Sequence, residues 1–191
     1  MNYTEEDPLY VVALGAITNI ASAILLNKEI TKRIVLVWLG GNVHSFPHQI
    51  EFNLKQDVAS GRVVMSNLDG SLVQVPCDGC VSEFHTNKYE LEHFLKNKNE
   101  LCNFLLDNVL EYHRNRGELW CKQIWDVCAV AWLLNDGEKF MKSYTTKIPT
   151  LKYDHSACDF SEDLGIEEYV YKIKRDSLFS DLFTKLANFK K

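Results

Sequence analysis

The stretch LYVVALGAITNIASAILLNKEITKRIVLVWLGG, residues 9–41, decides the fold. It opens with an apolar run rich in β-branched residues, 9–14, which predicts a buried strand. Residues 20–26 favour a helix, and residues 33–39 predict a second buried strand that ends at two glycines. A strand, a helix and a strand at this spacing form a βαβ unit. The sequence therefore indicates an α/β fold whose sheet is at least partly parallel.

Outward from this unit, the hydrophobic pattern predicts further helices and strands. The helices are expected at residues 57–65, 89–113 with a break at 97–99, 126–134 and 177–189, and the strands at 72–76 and 169–173. We predict one domain, residues 1–191, with a mostly parallel sheet and flanking helices. Because a buried parallel strand needs neighbours on both sides, a chain that opens into one is expected to lack the start of its domain.

Composition and charge exclude several classes of function. The chain has 46% hydrophobic and 25% charged residues, which is ordinary for a soluble globular protein. Its formal net charge of -5 argues against sequence-independent binding of nucleic acid, which needs a cationic surface. No apolar run is long enough for a transmembrane helix, so no membrane association is expected. The acidic, polar start does not resemble a secretory signal, and we expect a cytoplasmic protein.

Six cysteines occur in the chain, and two of them form the single CxxC motif, Cys77 to Cys80. An even number of cysteines is compatible with disulfides, but reduced thiols are favoured in a chain of this size without a signal peptide. A structural zinc site needs two further ligands at suitable spacing. The nearest histidines, His85 and His93, form no recognisable pattern, so buried or loop thiols are the preferred interpretation over zinc.

Four segments, taken together and in this order, resemble the inosine/uridine-preferring nucleoside hydrolase family. They are VALGAITNIA at residues 12–21, VWLGGN at 37–42, EFNLKQD at 51–57 and WDVCAVA at 125–131. The resemblance covers nearly the whole chain and implies cleavage of the N-glycosidic bond of a ribonucleoside, with a purine ribonucleoside as the candidate substrate, to ribose and free base. It also implies a bound calcium ion that holds the ribose diol and the attacking water. Calcium takes six to eight oxygen ligands and lowers the pKa of bound water.

Two residues are implied as calcium ligands by this resemblance. Thr18 matches a threonine whose backbone carbonyl binds the metal, and Asp126 matches the C-terminal carboxylate ligand. Each has a plainer alternative. Thr18 or the neighbouring Asn19 would serve near the N-cap of the first helix, and an aspartate at a helix N-terminus stabilises the helix dipole.

Four further residues are implied as substrate ligands. Glu51 and Asn53 match a Glu-x-Asn pair that binds ribose hydroxyls, and in an extended segment residues two apart point to the same face. Asn42 matches an asparagine near the 5′-hydroxyl. Trp125 stands where many members have a histidine, and a tryptophan there resembles the purine-specific branch, in which aromatic stacking holds the base. The alternatives are a solvated loop for Glu51 and Asn53, and a core position for Trp125.

The sequence departs from the family in one respect that matters for catalysis. Members begin with a strand followed by the cluster D-x-D-x-x-x-D-D, which supplies calcium carboxylates and the general base, and this cluster does not occur in the sequence. No catalytic residue is therefore assigned, and His44, His48 and His113 are not assigned as acids. With Asp126 and one backbone carbonyl, calcium has too few oxygens. We expect the chain alone to be inactive.

Three functions remain open from the sequence. The first is a truncated nucleoside hydrolase that needs the Asp-rich segment from elsewhere, and the second is a non-catalytic remnant that binds a ribosyl ligand or another protein. The third is an unrelated sugar-binding α/β module. The family resemblance favours the first, and calcium dependence separates it from the others. An uncovered strand edge near residues 11–14 predicts a homo-oligomer or a partner polypeptide that carries the missing segment.

Overall fold

The computed structural model describes residues 3–190. Seven strands lie within this range: β1 (Leu9–Leu14), β2 (Ile34–Leu39), β3 (Leu72–Val75), β4 (His85–Asn87), β5 (Cys121–Gln123), β6 (Met141–Lys147) and β7 (Ile166–Ile173). The α-helices are α1 (Thr18–Leu26), α2 (Val58–Met65), α3 (Lys88–Leu95), α4 (Glu100–His113), α5 (Val127–Trp132) and α6 (Arg175–Ala187). Short 3-10 helices occur at Lys28–Arg33, Leu54–Gln56, Val81–Glu83 and Asp136–Glu138.

The central sheet has five strands in the order β1-β2-β3-β7-β6. Strands β1, β2, β3 and β7 run parallel, whereas β6 pairs antiparallel with β7. The predicted βαβ unit is confirmed, because β1 and β2 are adjacent and in parallel register from Leu9 opposite Ile34 to Leu14 opposite Leu39. The expected α/β fold with a mostly parallel sheet and flanking helices is therefore observed.

Strand β2 divides the core into two layers because its side chains alternate between the two faces of the sheet. Val37 and Leu39 join the buried cluster that contains α3, α4, α5 and α6, while Leu36 and Trp38 join the cluster that contains α1 and α2. All four side chains are at most 1% exposed. This burial on both faces explains the continuous apolar run of the second strand. Within residues 3–190, no helix has the length and apolar character needed to cross a membrane.

The prediction that β1 is a buried strand is wrong. It lies at the edge of the sheet, and in the described part of the chain only β2 pairs with it. Tyr10 and Leu14 are 51% and 47% exposed. The apolar side chains of β1 pack against the core clusters on both faces of the sheet, although the strand lies at the edge of the sheet.

The other predicted boundaries hold to within a few residues, with two omissions. The break between α3 and α4 is confirmed, and its cause is Asn97, whose φ is 60°, followed by Asn99, whose side chain accepts a hydrogen bond from Cys102 N and caps α4. Helix α5 is shorter than expected and ends at Trp132. The antiparallel pair of β4 and β5 and the strand β6 were not predicted.

Candidate functional site

A cavity of about 590 Å³ opens at the carboxyl ends of β1, β2 and β3. Open parallel sheets place ligands at this edge, and the volume lies within the range of small-molecule sites. The lining consists of Leu14, Gly15, Leu39, Ile50, Glu51, Phe52, Asn53, Cys77, Asp78, Trp125 and Asp126. Four of the residues implied by the family resemblance are thus brought together from the loop after β2 and the start of α5.

Glu51 organises the loop between β2 and α2, which we call the β2–α2 loop (residues 40–57). Its carboxylate is 6% exposed and accepts three backbone hydrogen bonds, from Gly41 N at 3.0 Å, Asn53 N at 2.8 Å and Leu54 N at 2.9 Å. The alternative of a solvated loop is therefore contradicted for this residue. A carboxylate has about four acceptor sites, and the Cys77 thiol also hydrogen-bonds to Glu51, so a ligand hydroxyl would compete with this weak donor.

Asn53 is fixed to the end of the neighbouring strand. Its side-chain nitrogen donates to the carbonyl oxygen of Leu39 at 2.9 Å, and the residue is 9% exposed. This bond uses the amide nitrogen and leaves the side-chain oxygen as an acceptor. Glu51 and Asn53 together present oxygen acceptors to the cavity from a loop that is pinned to the sheet.

Trp125 and Asp126 enter the cavity from the start of α5. Asp126 is exposed and occupies the N-cap position of α5 without a side-chain capping hydrogen bond. Its place at the helix N-terminus agrees with the plainer alternative of helix-dipole stabilisation, and its role as a calcium ligand stays a prediction. Trp125 is partly buried and packs against the larger core cluster while it also lines the cavity. It is both a core residue and a cavity wall, and its ring offers an apolar surface beside the polar groups of the loop.

Thr18 and Asn42 do not line the cavity. Thr18 is the first residue of α1 after the N-cap Ile17, its carbonyl oxygen accepts the hydroxyl of Ser22 at 2.8 Å, and its own hydroxyl donates to Asp57. A carbonyl engaged within the first helical turn is poorly available to a metal. Leu14 and Gly15, at the end of β1, are the residues near Thr18 in the chain that line the cavity.

Asn42 is fully buried and takes part in the internal bonding of the β2–α2 loop. Its backbone N donates to Gln49 Oε1 at 2.9 Å, and its side-chain nitrogen donates to the carbonyl oxygens of His48 and Ile50. Asn42 therefore shapes the loop that carries the cavity residues, and its contact with a 5′-hydroxyl stays a prediction.

Cys77 and Asp78 line the cavity and were not identified from the sequence. Burial, assisted by the charge of Glu51, raises the pKa of the Cys77 thiol far above its ordinary value. Cys77 therefore stays protonated and is no nucleophile. The signal that could have found both residues is their place directly after β3, where parallel sheets carry their ligands.

The described residues do not by themselves form a calcium site. Glu51, Asp78 and Asp126 all border the cavity, yet within residues 3–190 no three Asp, Glu, His or Cys side chains lie close enough to hold a metal ion. Calcium requires six to eight oxygens, and this donor set falls short of that number. Among the described residues, Cys77 and Cys80 likewise have no third metal-ligating side chain close enough to form a zinc site. All six cysteines are unpaired.

Comparison with known proteins identifies the architecture. The family model for inosine-uridine preferring nucleoside hydrolase matches residues 2–170. Solved structures with the same fold include a plant nucleoside hydrolase, PpNRh1, with a TM-score of 0.76 and 18% identity over 94% of this chain and 62% of that chain. The inosine-uridine preferring hydrolase of Bacillus anthracis has a TM-score of 0.68 and 20% identity over 94% of this chain and 60% of that one.

A third structure, the purine-preferring ribonucleoside hydrolase from Gardnerella vaginalis, gives a TM-score of 0.77 and 14% identity over 97% of this chain and 62% of that chain. The chain thus spans less than two thirds of the length of each of these structures. A search of curated protein sequences gave no match. The family model covers most of the chain and the fold agrees with it, so the chain belongs to the inosine-uridine preferring nucleoside hydrolase family.

Proposed function

We propose that the cavity at the carboxyl ends of β1, β2 and β3 binds a ribonucleoside, and that the reaction it serves is hydrolysis of the N-glycosidic bond. The observation that carries this proposal is the meeting of Glu51, Asn53, Trp125 and Asp126 around one cavity. Family membership supplies the reaction class. The names of the similar structures, which include a purine-preferring hydrolase, support a purine nucleoside as substrate.

Different residues of the cavity contact different parts of the ribonucleoside. Glu51 and Asn53 accept hydrogen bonds from ribose hydroxyls, and because both are held by backbone partners they need little reorganisation on binding. Trp125 stacks on the base, and such a contact is available to any planar heterocycle. Asp126 lies beside the sugar as the carboxylate that would ligate calcium.

Hydrolysis needs more than these residues supply. Water must be deprotonated by a base placed behind C1′, and the described carboxylates form no group able to hold calcium. We propose that further carboxylates join the cavity at the open edge of β1, either from a segment outside these 191 residues or from a separate polypeptide. The chain alone then binds a ribonucleoside without cleaving it. The six unpaired thiols support a reducing, cytoplasmic location.

A second function, ribosyl-ligand binding without any catalysis, is supported by the same shortage of carboxylates at the cavity. The two functions share the ligand and differ in calcium dependence. Titration calorimetry with inosine, guanosine and uridine, each with and without millimolar calcium, separates them once base release is followed in parallel. If calcium does not change ribonucleoside binding, even after candidate partner polypeptides are added, the second function, binding without catalysis, is favoured.

The role of Trp125 gives the sharpest variant for this experiment. Stacking on an aromatic side chain is worth about 1–3 kcal/mol per base, so Trp125→Ala should weaken inosine binding by about tenfold or more. Phe104→Ala is the matched control, because Phe104 is 64% exposed on α4 and does not line the cavity. Absence of ribonucleoside binding by the wild-type chain contradicts the proposed function. Turnover by the chain alone that disappears in Asp126→Ala contradicts the proposed need for further carboxylates.

A further inference from the structure

A buried pair of titratable side chains joins the β2–α2 loop to the sheet. His44 Nε2 lies 3.3 Å from Glu167 Oε1 in β7, and the two side chains are 13% and 0% exposed. The same Nε2 lies 3.0 Å from Oε1 of Gln74 in β3. Neither oxygen of Glu167 accepts a hydrogen bond of good geometry. A buried carboxylate without hydrogen-bond donors destabilises the folded state unless it is protonated or faces a positive charge.

The hydrogen bonds of Gln74 determine where the proton of His44 lies. Gln74 Nε2 donates to the carbonyl oxygen of Gly40 at 3.0 Å, which turns Gln74 Oε1 towards the imidazole. Because that oxygen only accepts, His44 Nε2 must carry hydrogen. The pair then holds one proton in addition, either on His44 Nδ1 as an ion pair or on Glu167 as a neutral pair. Loss of that proton leaves the buried carboxylate without a counter-charge.

The groups around this pair do not titrate near neutral pH. Burial raises the pKa of the Cys158 thiol to about 12, with a further contribution from Glu167. Burial also raises the pKa of the Tyr169 hydroxyl well above its ordinary value. That hydroxyl accepts a hydrogen bond from the backbone N of His44 at 3.1 Å, and the two ring centroids lie 4.1 Å apart with the planes tilted by 33°. Exposed Tyr144 contacts Tyr169 from β6. The Cys158 thiol and the Tyr169 hydroxyl therefore keep their protons, and the buried contact between His44 and Glu167 is where a change in protonation would alter the loop.

His44 lies within the loop that carries the proposed sugar ligands. Gly41, three residues before it, donates its backbone N to Glu51, and Glu51 in turn holds the backbone of Asn53. Phe160 packs edge-on against the imidazole at 5.4 Å. Movement of His44 away from the sheet therefore disturbs the segment that holds Glu51 in place.

We propose that His44 and Glu167 form a one-proton latch that holds the β2–α2 loop against the sheet, so that Glu51 and Asn53 are positioned for a sugar only while the pair keeps its proton. His44 is then a positioning residue, and the inference rests on the proposed ribonucleoside site. Deprotonation leaves a bare carboxylate at Glu167, and opening of the loop relieves its burial.

Hydrogen–deuterium exchange of residues 41–54 in the full chain tests the latch without any ligand. After correction for the intrinsic chemical rate, wild-type exchange should be at least about tenfold faster at pH 7.5 than at pH 5.5. Glu167→Gln is isosteric and neutral, and it should remove this pH dependence. Glu168→Gln, on the same strand but partly exposed, should keep it. His44→Gln should speed exchange at both pH values, whereas His93→Gln, at an exposed position on α3, should leave it unchanged.

Inosine titrations of the same samples separate the latch from the proposed function. The expected result is binding several-fold weaker at pH 7.5 than at pH 5.5 in the wild type, and equal at both in Glu167→Gln. Exchange that is independent of pH in the wild type, or equally dependent in Glu167→Gln, overturns the latch. Equal inosine affinity at both pH values overturns its positioning role. If hydrogen exchange depends on pH but inosine does not bind, the proposed function is overturned and the latch itself is supported.

Discussion

At the residue scale, the buried carboxylate of Glu51 holds the candidate site together. It accepts three backbone hydrogen bonds, and glutamine would present an NH₂ group to at least one of these donors. An unsatisfied buried donor costs about 1–3 kcal/mol, so Glu51→Gln should lower the free energy of unfolding by about 2 kcal/mol in urea titrations. Exposed Glu5→Gln should change it by less than about 0.5 kcal/mol. Equal stability of the two variants contradicts this account of the loop.

Gly41 is the second residue on which the shape of the loop depends. Its φ is 76°, and a Cβ there would lie 2.7 Å from Gln74 Nε2. Gly117 has a similar φ of 73° but open space around it. Gly117→Ala should cost about 1 kcal/mol through the left-handed backbone alone, and Gly41→Ala about 1–3 kcal/mol more through overpacking. Chemical denaturation of both variants measures the difference, and equal losses would mean that the close approach is unimportant.

Glu167 gives stability a pH dependence of defined sign. Burial raises the pKa of its carboxyl, and His44 lowers it by a smaller amount. Stability from a raised carboxyl pKa is present below the ordinary value, about 4.3, and is lost as pH rises through the folded value. The wild-type free energy of unfolding should therefore contain a fall above pH about 4.5 of at most about 1.4 kcal/mol per pH unit. This fall should be missing in Glu167→Gln and retained in Glu168→Gln; identical pH profiles for all three proteins count against it.

Sequence reasoning found the residues of the site that stand in recognisable motifs and missed those that depend on topology. Glu51, Asn53, Trp125 and Asp126 were identified through the family resemblance, and the structure places them on one cavity. Thr18 lies outside that cavity because its carbonyl belongs to the first turn of α1. The contacts of Glu51 join residues ten positions apart through a folded loop, and no local pattern in the sequence encodes them.

At the element scale, strands with a strong apolar signal could be predicted and polar ones could not. The β-branched runs of the sequence predicted strands β1 and β2, and the asparagines between α3 and α4 predicted the break between these helices. Strand β6, with the sequence MKSYTTK, is held by its pairing with β7, and β4 and β5 have only three residues each. Such strands owe their structure to long-range partners. The edge position of β1 also follows from pairing, which composition does not reveal.

The open edge of β1 has a consequence for association. Exposed strand edges pair with other chains unless charge blocks them, so we expect concentration-dependent self-association in analytical ultracentrifugation at micromolar concentration. Tyr10→Lys places a charge on the half-exposed edge residue and should shift the chain towards monomer. Tyr89→Lys, on α3 and similarly exposed at 57%, is the control. A wild-type chain that is monomeric with a cooperative thermal transition would show that the edge is not a site of association.

At the scale of the whole molecule, the chain combines the fold of its family with a cavity that few of the described carboxylates border. Its cavity lies where open α/β sheets bind ligands, and it supplies acceptors for a sugar and an aromatic wall for a base. The carboxylates around it do not form a metal site among residues 3–190. Under the proposed function the molecule holds a ribonucleoside, and we expect bond cleavage only when further acidic residues join the cavity.

Backbone and indole amide shifts of the ¹⁵N-labelled chain during titration with inosine test the central claim most directly. The account predicts saturable shifts at Gly41, Glu51 and Asn53 and at the Trp125 indole, without release of hypoxanthine. The groove between α3 and α6, lined by Phe94 and Phe183, should be unaffected. Saturable shifts confined to that groove, or no saturable shifts at all, would contradict the claim that the cavity at the ends of β1, β2 and β3 is a ribonucleoside site.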